Sequence, residues 1–339
     1  MGVYHFMGLG RSVGAVTAAL SYLAARYARD NPQDRAFFAL SGEVNQPADR
    51  KRGDVQALVL FTTEEIYDGN KPSNGYILNQ PGQCKGPQKA GERVSLLLER
   101  LAREDLRTLT ITSRDPAKAA PRKEIEVYWC LYRPDQPTET FERVASTISA
   151  AKAPGALGKE VWINLTGGTN IINSALQLSV GLLGVSARLY YIWSEHTDCV
   201  AHTVHRDDLG TERDTFWVDL PILYFDFNEN HRCILETLEK LGEPVSVDDL
   251  HNIVANDLGG ELPGGTRQER LVWFRRLFVL PLRAQQLITG DERALTIDRG
   301  WERLKRYYSA IPQRGQAQPN LSQLTADNDW LLRETWELG

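Results

Sequence analysis

An apolar run, Val161-Trp162-Ile163-Asn164-Leu165, passes without a break into Thr166-Gly167-Gly168-Thr169, and Asn170 then opens a second apolar run with helical spacing. A strand that turns directly into a helix constrains the fold more than any other feature of the chain, because such units build sheets flanked by helices. Glycines at the turn let a phosphate or ribose approach the backbone, and the free N–H groups of the helix start favour an anion. A second turn of this kind stands near the N-terminus. There Val3-Tyr4-His5-Phe6-Met7 leads into Gly8-Leu9-Gly10-Arg11-Ser12 and a long helical pattern. Two such turns on one sheet predict one shared pocket for a nucleotide-like ligand.

The first two thirds of the chain repeat this alternation. Strands are expected at Val3–Met7, Val55–Thr62, Ile125–Tyr132, Val161–Leu165 and Arg188–Trp193, with helices near Ser12–Arg29, Lys89–Arg103, Thr138–Ala151 and Asn170–Leu183. The fold class is therefore α/β, a Rossmann-like and mostly parallel sheet. Ser41–Asp54 and Tyr67–Gln88 interrupt the rhythm as long loops, and no motif assigns a role to Lys71, Asn74 or Tyr76. Thr215–Leu220 reads as a last strand. From Glu229 the pattern becomes short helices (His231–Leu241, Ser246–Asn256, Thr266–Leu277 running toward Leu287), two extended pieces about Gly290-Asp291, and a helix from Arg299. That order is expected of a winged helix-turn-helix. The division is thus a ligand-binding domain over residues 1–225 and a mainly helical winged-helix domain over 226–339, whose tail, with Trp330, Leu331, Leu332 and Trp336, is expected to dock.

Composition narrows the classes of function. With 339 residues, 42% hydrophobic and 24% charged, the chain is a folded protein rather than a disordered one. Its formal net charge of −5 supplies no general attraction to nucleic acid or to an anionic membrane, so a polyanion must be met by a local site. Cys84, Cys130, Cys199 and Cys233 form no Cys-x-x-Cys pair, and the N-terminus reads as no leader, so a reducing cytoplasm is expected. The most apolar helical stretch, Ile171 to Val185, carries Asn173, Ser174, Gln177 and Ser179 and falls short of the roughly 20 residues that span a bilayer. No membrane association is expected.

In its two turns, Gly8-Leu9-Gly10-Arg11-Ser12 and Asn164-Leu165-Thr166-Gly167-Gly168-Thr169-Asn170, the chain resembles the CARF family, the Rossmann-like sensor domains of type III CRISPR systems. The resemblance covers roughly residues 1–220. It implies a homodimer that binds a cyclic oligoadenylate across its two-fold axis, with cyclic tetra-adenylate favoured over hexa-adenylate. Some members are ring nucleases that cut the ring they bind, and others are ligand-gated regulators. The resemblance implies no cofactor and no metal. A two-fold symmetric ring suits a dimer whose subunits each offer the same half-site.

On this reading the ligand-binding residues are Gly8, Gly10, Arg11, Ser12, Thr62, Thr63, Thr166, Gly167, Gly168, Thr169 and Asn170, and the catalytic candidates are Arg11, Ser12 and Thr169. An Arg11 guanidinium can pair with a non-bridging phosphate oxygen, and a Ser12 hydroxyl can bond the same group or cap the following helix. Attack by a ribose 2′-hydroxyl on the adjacent phosphorus needs no metal, only in-line positioning and charge stabilisation. Asn170 departs from the family, in which Lys is common at this place. The neutral amide donates a hydrogen bond without neutralising charge, which favours a regulator over a nuclease. A third reading keeps only the fold and makes the chain a nucleotide-binding oxidoreductase or transferase using Gly8 to Gly14. The full Gly-x-Gly-x-x-Gly fingerprint is absent.

Other features read as structure. Glu195, His196, Asp198, Cys199, His202 and His205 have no recognised zinc spacing, so a polar sheet edge is expected and no metal. Arg267, Arg270, Arg275 and Arg276 invite DNA binding. Asp248, Asp249, Asp257, Glu261 and Glu269 cancel the basic excess that a DNA reader needs, so DNA is possible but not favoured. Neither His231 nor His251 follows an Arg in the way a HEPN ribonuclease requires, and residues 229–339 read as helices rather than the strands of a restriction-type nuclease. The expectation is a ring nuclease that degrades the messenger; the alternative is a cyclic-oligoadenylate-gated transcriptional regulator without catalytic activity.

Overall fold

The computed structural model describes residues 2–29, 32–39, 55–74, 91–110, 122–152, 159–183, 187–193, 216–222, 229–258, 262–263, 265–308, 311 and 319–339. The order begins β1 (Gly2–Gly8), α1 (Gly14–Arg29), α2 (Pro32–Ala39), β2 (Val55–Thr62), α3 (Glu64–Tyr67), α4 (Val94–Leu109), β3 (Glu124–Leu131) and α5 (Pro137–Ala151). It continues through β4 (Lys159–Asn164), α6 (Asn170–Leu183), β5 (Ala187–Ile192) and β6 (Trp217–Leu220). The helical segment holds α7 (Glu229–Leu241), α8 (Val247–Val254), α9 (Arg267–Phe274), a π turn at Arg275–Val279, α10 (Leu280–Ala284), β7 (Ile288–Thr289), β8 (Thr296–Ile297) and α11 (Arg299–Tyr308). The chain closes with α12 (Leu321–Asp327) and β9 (Leu331–Glu337).

Seven strands form one sheet in the order β6-β5-β4-β1-β2-β3-β9, with β1 to β5 parallel and the two edges antiparallel. The α/β expectation and all five central strands are borne out to within two residues. The middle strands are apolar without alternation because both their faces are covered. Phe6, Met7, Leu58, Val59, Leu60, Val161, Trp162 and Ile163 are all fully buried. With right-handed crossovers, α1 and α4 cover one face and α5 and α6 the other. In α4 the buried residues Val94, Leu97, Leu98, Ala102, Leu106 and Leu109 keep helical spacing to the end. The apolar stripe therefore carries that helix six residues beyond the expected Arg103.

The chain divides into two compact units, Met1–Tyr224 with Ile311–Gly339, and Phe225–Ala310. This differs from the division at residue 225, because the tail does more than dock. β9 adds to the sheet as its edge strand, antiparallel to β3 in the register Val127↔Glu334 and Trp129↔Leu332. The second unit follows the expected order of helices, hairpin and closing helix. Its hairpin is extended by the bridge Val245↔Leu295, and its core includes Leu250, Phe274, Leu282 and Trp301. The third helix runs past Leu277 to Ala284 through the π turn.

Among the described residues no helix is long and apolar enough to cross a membrane. The Glu195 to His205 cluster, Tyr76, Cys84, Cys199 and the loop Ser41–Asp54 lie outside the described residues. Among those that are described, no group of His, Cys, Asp and Glu is placed to hold a metal.

Candidate ligand site at the switch point of the sheet

Strand order reverses between β4 and β1. From β1 the chain steps outward to β2 and β3, then returns to place β4 on the other side of β1. At that reversal the connections after β1 and β4 leave in opposite directions, and in open α/β sheets such a point is where a crevice forms beyond the carboxyl ends of the strands. Met7 pairs with Asn164, so the turns 8–13 and 165–169 are neighbours at that crevice. The two turns, far apart in sequence, are neighbours at the same edge of the sheet.

The two turns touch through their glycines. A Cβ on Gly8 would stand 2.6 Å from the Gly167 carbonyl oxygen and 3.0 Å from Gly168 Cα. A Cβ on Gly167 would overlap the Gly8 carbonyl oxygen and lie 2.5 Å from Ala15 Cβ. Gly168 has φ +83°, a left-handed conformation that suits glycine, and a Cβ there would meet Ile172 Cγ2 at 2.5 Å. Gly8 and Gly167 are accordingly buried, and what approaches their backbone is the opposite turn. At these two glycines the missing Cβ makes room for the backbone of the opposite turn. Gly10 has no atom within 4 Å of an added Cβ and is the glycine that remains open.

Asn164 fastens the contact. This residue at the end of β4 is 1% exposed, donates from Nδ2 to the Ala15 carbonyl at 2.9 Å, and accepts from the Thr166 N–H at 2.8 Å through Oδ1. A polar residue ending an otherwise apolar strand was the visible signal for this role. Thr166 Oγ1 accepts from the Ile192 N–H at 2.8 Å, and Asn173 Nδ2 donates to the Leu165 carbonyl at 3.1 Å. Thr166 is therefore engaged in holding the turn to β5.

The groups left facing outward are Arg11, Ser12, Gly168, Thr169 and Asn170, all exposed. Two helix starts lie with them, α1 behind Ser12 and α6 at Asn170. Their unpaired N–H groups favour an anion. Ser12 is not the cap of α1. Helical bonding begins from the Val13 carbonyl, which accepts from the N–H groups of Val16 and Thr17, so the hydroxyl at 12 is spared that role. Thr169 Oγ1 lies 3.4 Å from the Ile172 N–H and 3.0 Å from the Tyr132 hydroxyl. Burial raises the Tyr132 phenol above its ordinary pKa, so it stays neutral beside Thr169. Tyr132 follows β3, and its position at a strand end was the only sequence clue to it.

Thr62 and Thr63 divide. Thr62 is fully buried in β2 with an unpartnered Oγ1, whereas Thr63 is half-buried and its carbonyl accepts from Ile66 and Tyr67 as α3 begins. Arg11 is the cation of the two turns. It donates from Nε to the Pro72 carbonyl at 2.7 Å, and its own carbonyl accepts from the Asn74 N–H at 3.1 Å. The second of the expected loops thus begins as a short strap against Arg11, and Asn74, unassigned from the sequence, is its point of contact. Lys71 is paired with Glu65.

No protein-family model matches the chain. A curated protein of Archaeoglobus fulgidus, described only as uncharacterized, is 26% identical over 209 residues. The match covers 57% of this chain and 57% of that relative. Among solved structures, Csm6 of Enterococcus italicus bound to cyclic hexa-2′-fluoro-hexa-dAMP aligns with a TM-score of 0.37 and 12% identity, over 85% of this chain and 55% of that one. Protein VC1899 of Vibrio cholerae aligns with a TM-score of 0.28 and 8% identity, over 91% of this chain and 66% of that one. At TM-scores this low the two likenesses do not bear on the site, and a functional reading has to stand on the chain's own residues.

Proposed function

We propose that the chain is a CARF-type protein that binds a cyclic oligoadenylate as a two-fold homodimer and opens the ring as a metal-independent nuclease. The observation that carries this reading is the meeting of two strand-turn-helix units at the switch point, which leaves Arg11, Ser12, Thr169 and Asn170 exposed between two helix starts. Both motifs of the family resemblance lie in that crevice. A phosphodiester there meets one guanidinium, two hydroxyls, an amide and backbone N–H groups, and a ring of adenylates repeats that contact across a two-fold axis.

In the proposed reaction the ribose 2′-oxygen forms a bond to the adjacent phosphorus and loses its proton, while the P–O5′ bond breaks and O5′ takes up a proton. The products carry a 2′,3′-cyclic phosphate at one end and a 5′-hydroxyl at the other. Arg11 stabilises the charge that develops on the non-bridging oxygens, and Ser12, with Thr169 held by Tyr132, positions the phosphodiester.

A second reading makes the chain a cyclic-oligoadenylate-gated regulator whose helical unit is a winged helix. Two observations favour it. Asn170 leaves Arg11 as the one cation of the turns, and the Thr169 hydroxyl is already engaged. Incubation with cyclic tetra-adenylate and cyclic hexa-adenylate in EDTA, followed by chromatography and mass spectrometry, separates the readings. Linear products ending in a cyclic phosphate, lost in Arg11→Ala or Ser12→Ala, support the nuclease. Tight binding with the ring intact supports the regulator, and binding of neither ring refutes both.

A further inference from the structure

The cation of the crevice does not hold its own position. Arg11 Nε is fixed by the Pro72 carbonyl, and the strap bearing that carbonyl is itself anchored at several points. Lys71 N–H donates to the Glu65 carbonyl at 2.7 Å, Ser73 N–H to the Glu92 carbonyl at 2.9 Å, and Arg93 Nε to the Tyr67 carbonyl at 2.7 Å. The Tyr67 side chain then ties the strap to the far edge of the sheet. Its ring lies 5.3 Å from that of Trp129, and its hydroxyl donates to Glu334 Oε1 at 2.8 Å. Glu334 also accepts from Trp129 Nε1 at 2.8 Å and from Trp336 Nε1 at 3.3 Å. One carboxylate from the last strand thus gathers three donors, and only one of them, Tyr67, belongs to the segment that holds Arg11.

We infer that Glu334 and Tyr67 are positioning residues for Arg11. The C-terminal strand fixes the strap 64–74, the strap fixes the guanidinium through Nε, and the two terminal nitrogens of Arg11 are thereby left for a non-bridging phosphate oxygen. The geometry has a physical logic. A guanidinium on an exposed turn samples many rotamers, and a bond to Nε from a rigid carbonyl removes most of that freedom before the anion arrives. Glutamate suits the keystone because a carboxylate accepts from several donors at once, whereas the amide of glutamine turns one donor pair toward donors.

The consequence for binding rests on the phosphodiester reading above; the relay itself does not, so the test has a ligand-free arm. In ¹⁵N-labelled protein the Arg11 Nε–H resonance, assigned by its loss in Arg11→Lys, reports solvent exchange directly. Glu334→Gln and Tyr67→Phe should each speed that exchange about tenfold, the size expected when a fixed hydrogen bond becomes transient, with the melting temperature as the check that the fold persists. The second arm measures binding of cyclic tetra-adenylate and cyclic hexa-adenylate. Each variant should weaken the bound ring roughly tenfold, and Arg11→Ala combined with either should bind no worse than Arg11→Ala alone. Unchanged Nε–H exchange in both variants overturns the relay. Additive losses in the combined variants also overturn it, because Glu334 and Tyr67 would then act apart from Arg11. Faster exchange in a protein that binds neither ring sustains the relay and refutes the ligand reading alone.

Discussion

Gly167→Ala is the substitution that most directly tests how the crevice is built. The new Cβ overlaps the Gly8 carbonyl oxygen and stands 2.5 Å from Ala15 Cβ. Neither neighbour is the end of a flexible side chain; one is backbone in a buried strand end, and the other is fixed to the first turn of α1. Relief requires the β1 and β4 turns to separate, which stretches the Asn164 bond to the Ala15 carbonyl. Overpacking of a rigid site costs about 1–3 kcal/mol, and two simultaneous overlaps place this case near about 3. For a unit of this size each kcal/mol lowers the melting temperature by roughly 2–4 °C, so a fall of about 6–12 °C is expected. Gly10→Ala is the matched control. Its Cβ meets nothing within 4 Å, so stability should change by less than about 0.5 kcal/mol. Thermal unfolding of the two variants beside the parent, followed by circular dichroism, makes the comparison. A Gly167→Ala protein that melts within about 2 °C of the parent refutes the claim that backbone approach dictates glycine here.

Three further outcomes follow from the site and the core. Arg11→Ala should weaken binding of a cyclic oligoadenylate by about ten- to a hundredfold and lower the slope of log affinity against log salt by about 0.7, measured by titration at several salt concentrations; an unchanged slope removes Arg11 from phosphate contact. Asn170→Lys, at an exposed position, should tighten binding severalfold and steepen the same slope, with stability altered by less than about 0.5 kcal/mol. His5 is fully buried, and burial, with the Arg188 charge adding to it, lowers its pKa from 6.5 to about 3. The unfolded chain therefore binds a proton that the folded chain refuses between those values. Stability from this residue is present above pH 6.5 and is lost as pH falls toward 3, by about 3 kcal/mol at pH 4. Denaturant titrations at pH 6.5 and 4 should show a smaller loss in His5→Phe than in the parent, and equal losses would contradict the burial of a neutral imidazole.

What local sequence could determine, it did. Central parallel strands are buried on both faces, so Ala57–Phe61 or Val161–Ile163 is apolar throughout and legible without its neighbours. The turns after β1 and β4 were legible for the same reason: small residues between an apolar strand and a helical pattern have few other uses. The sequence therefore determined the α/β class, the two turns and their common edge. The tertiary structure decided what those residues do there. Gly8 and Gly167 answer to each other across a separation that no local pattern encodes, so their role in backbone packing emerged only when the turns met. β9 was legible as a segment that docks but not as an edge strand, because its pattern alternates weakly and its partner β3 lies about two hundred residues earlier. The orientation of Arg11 depends on the Pro72 carbonyl, and the placing of that carbonyl depends on Tyr67 and Glu334, brought together from positions 267 residues apart. Periodicity is a short-range property and fixes elements; the approach of one backbone to another, and the aiming of a side chain, are long-range contacts that exist only after those elements have packed.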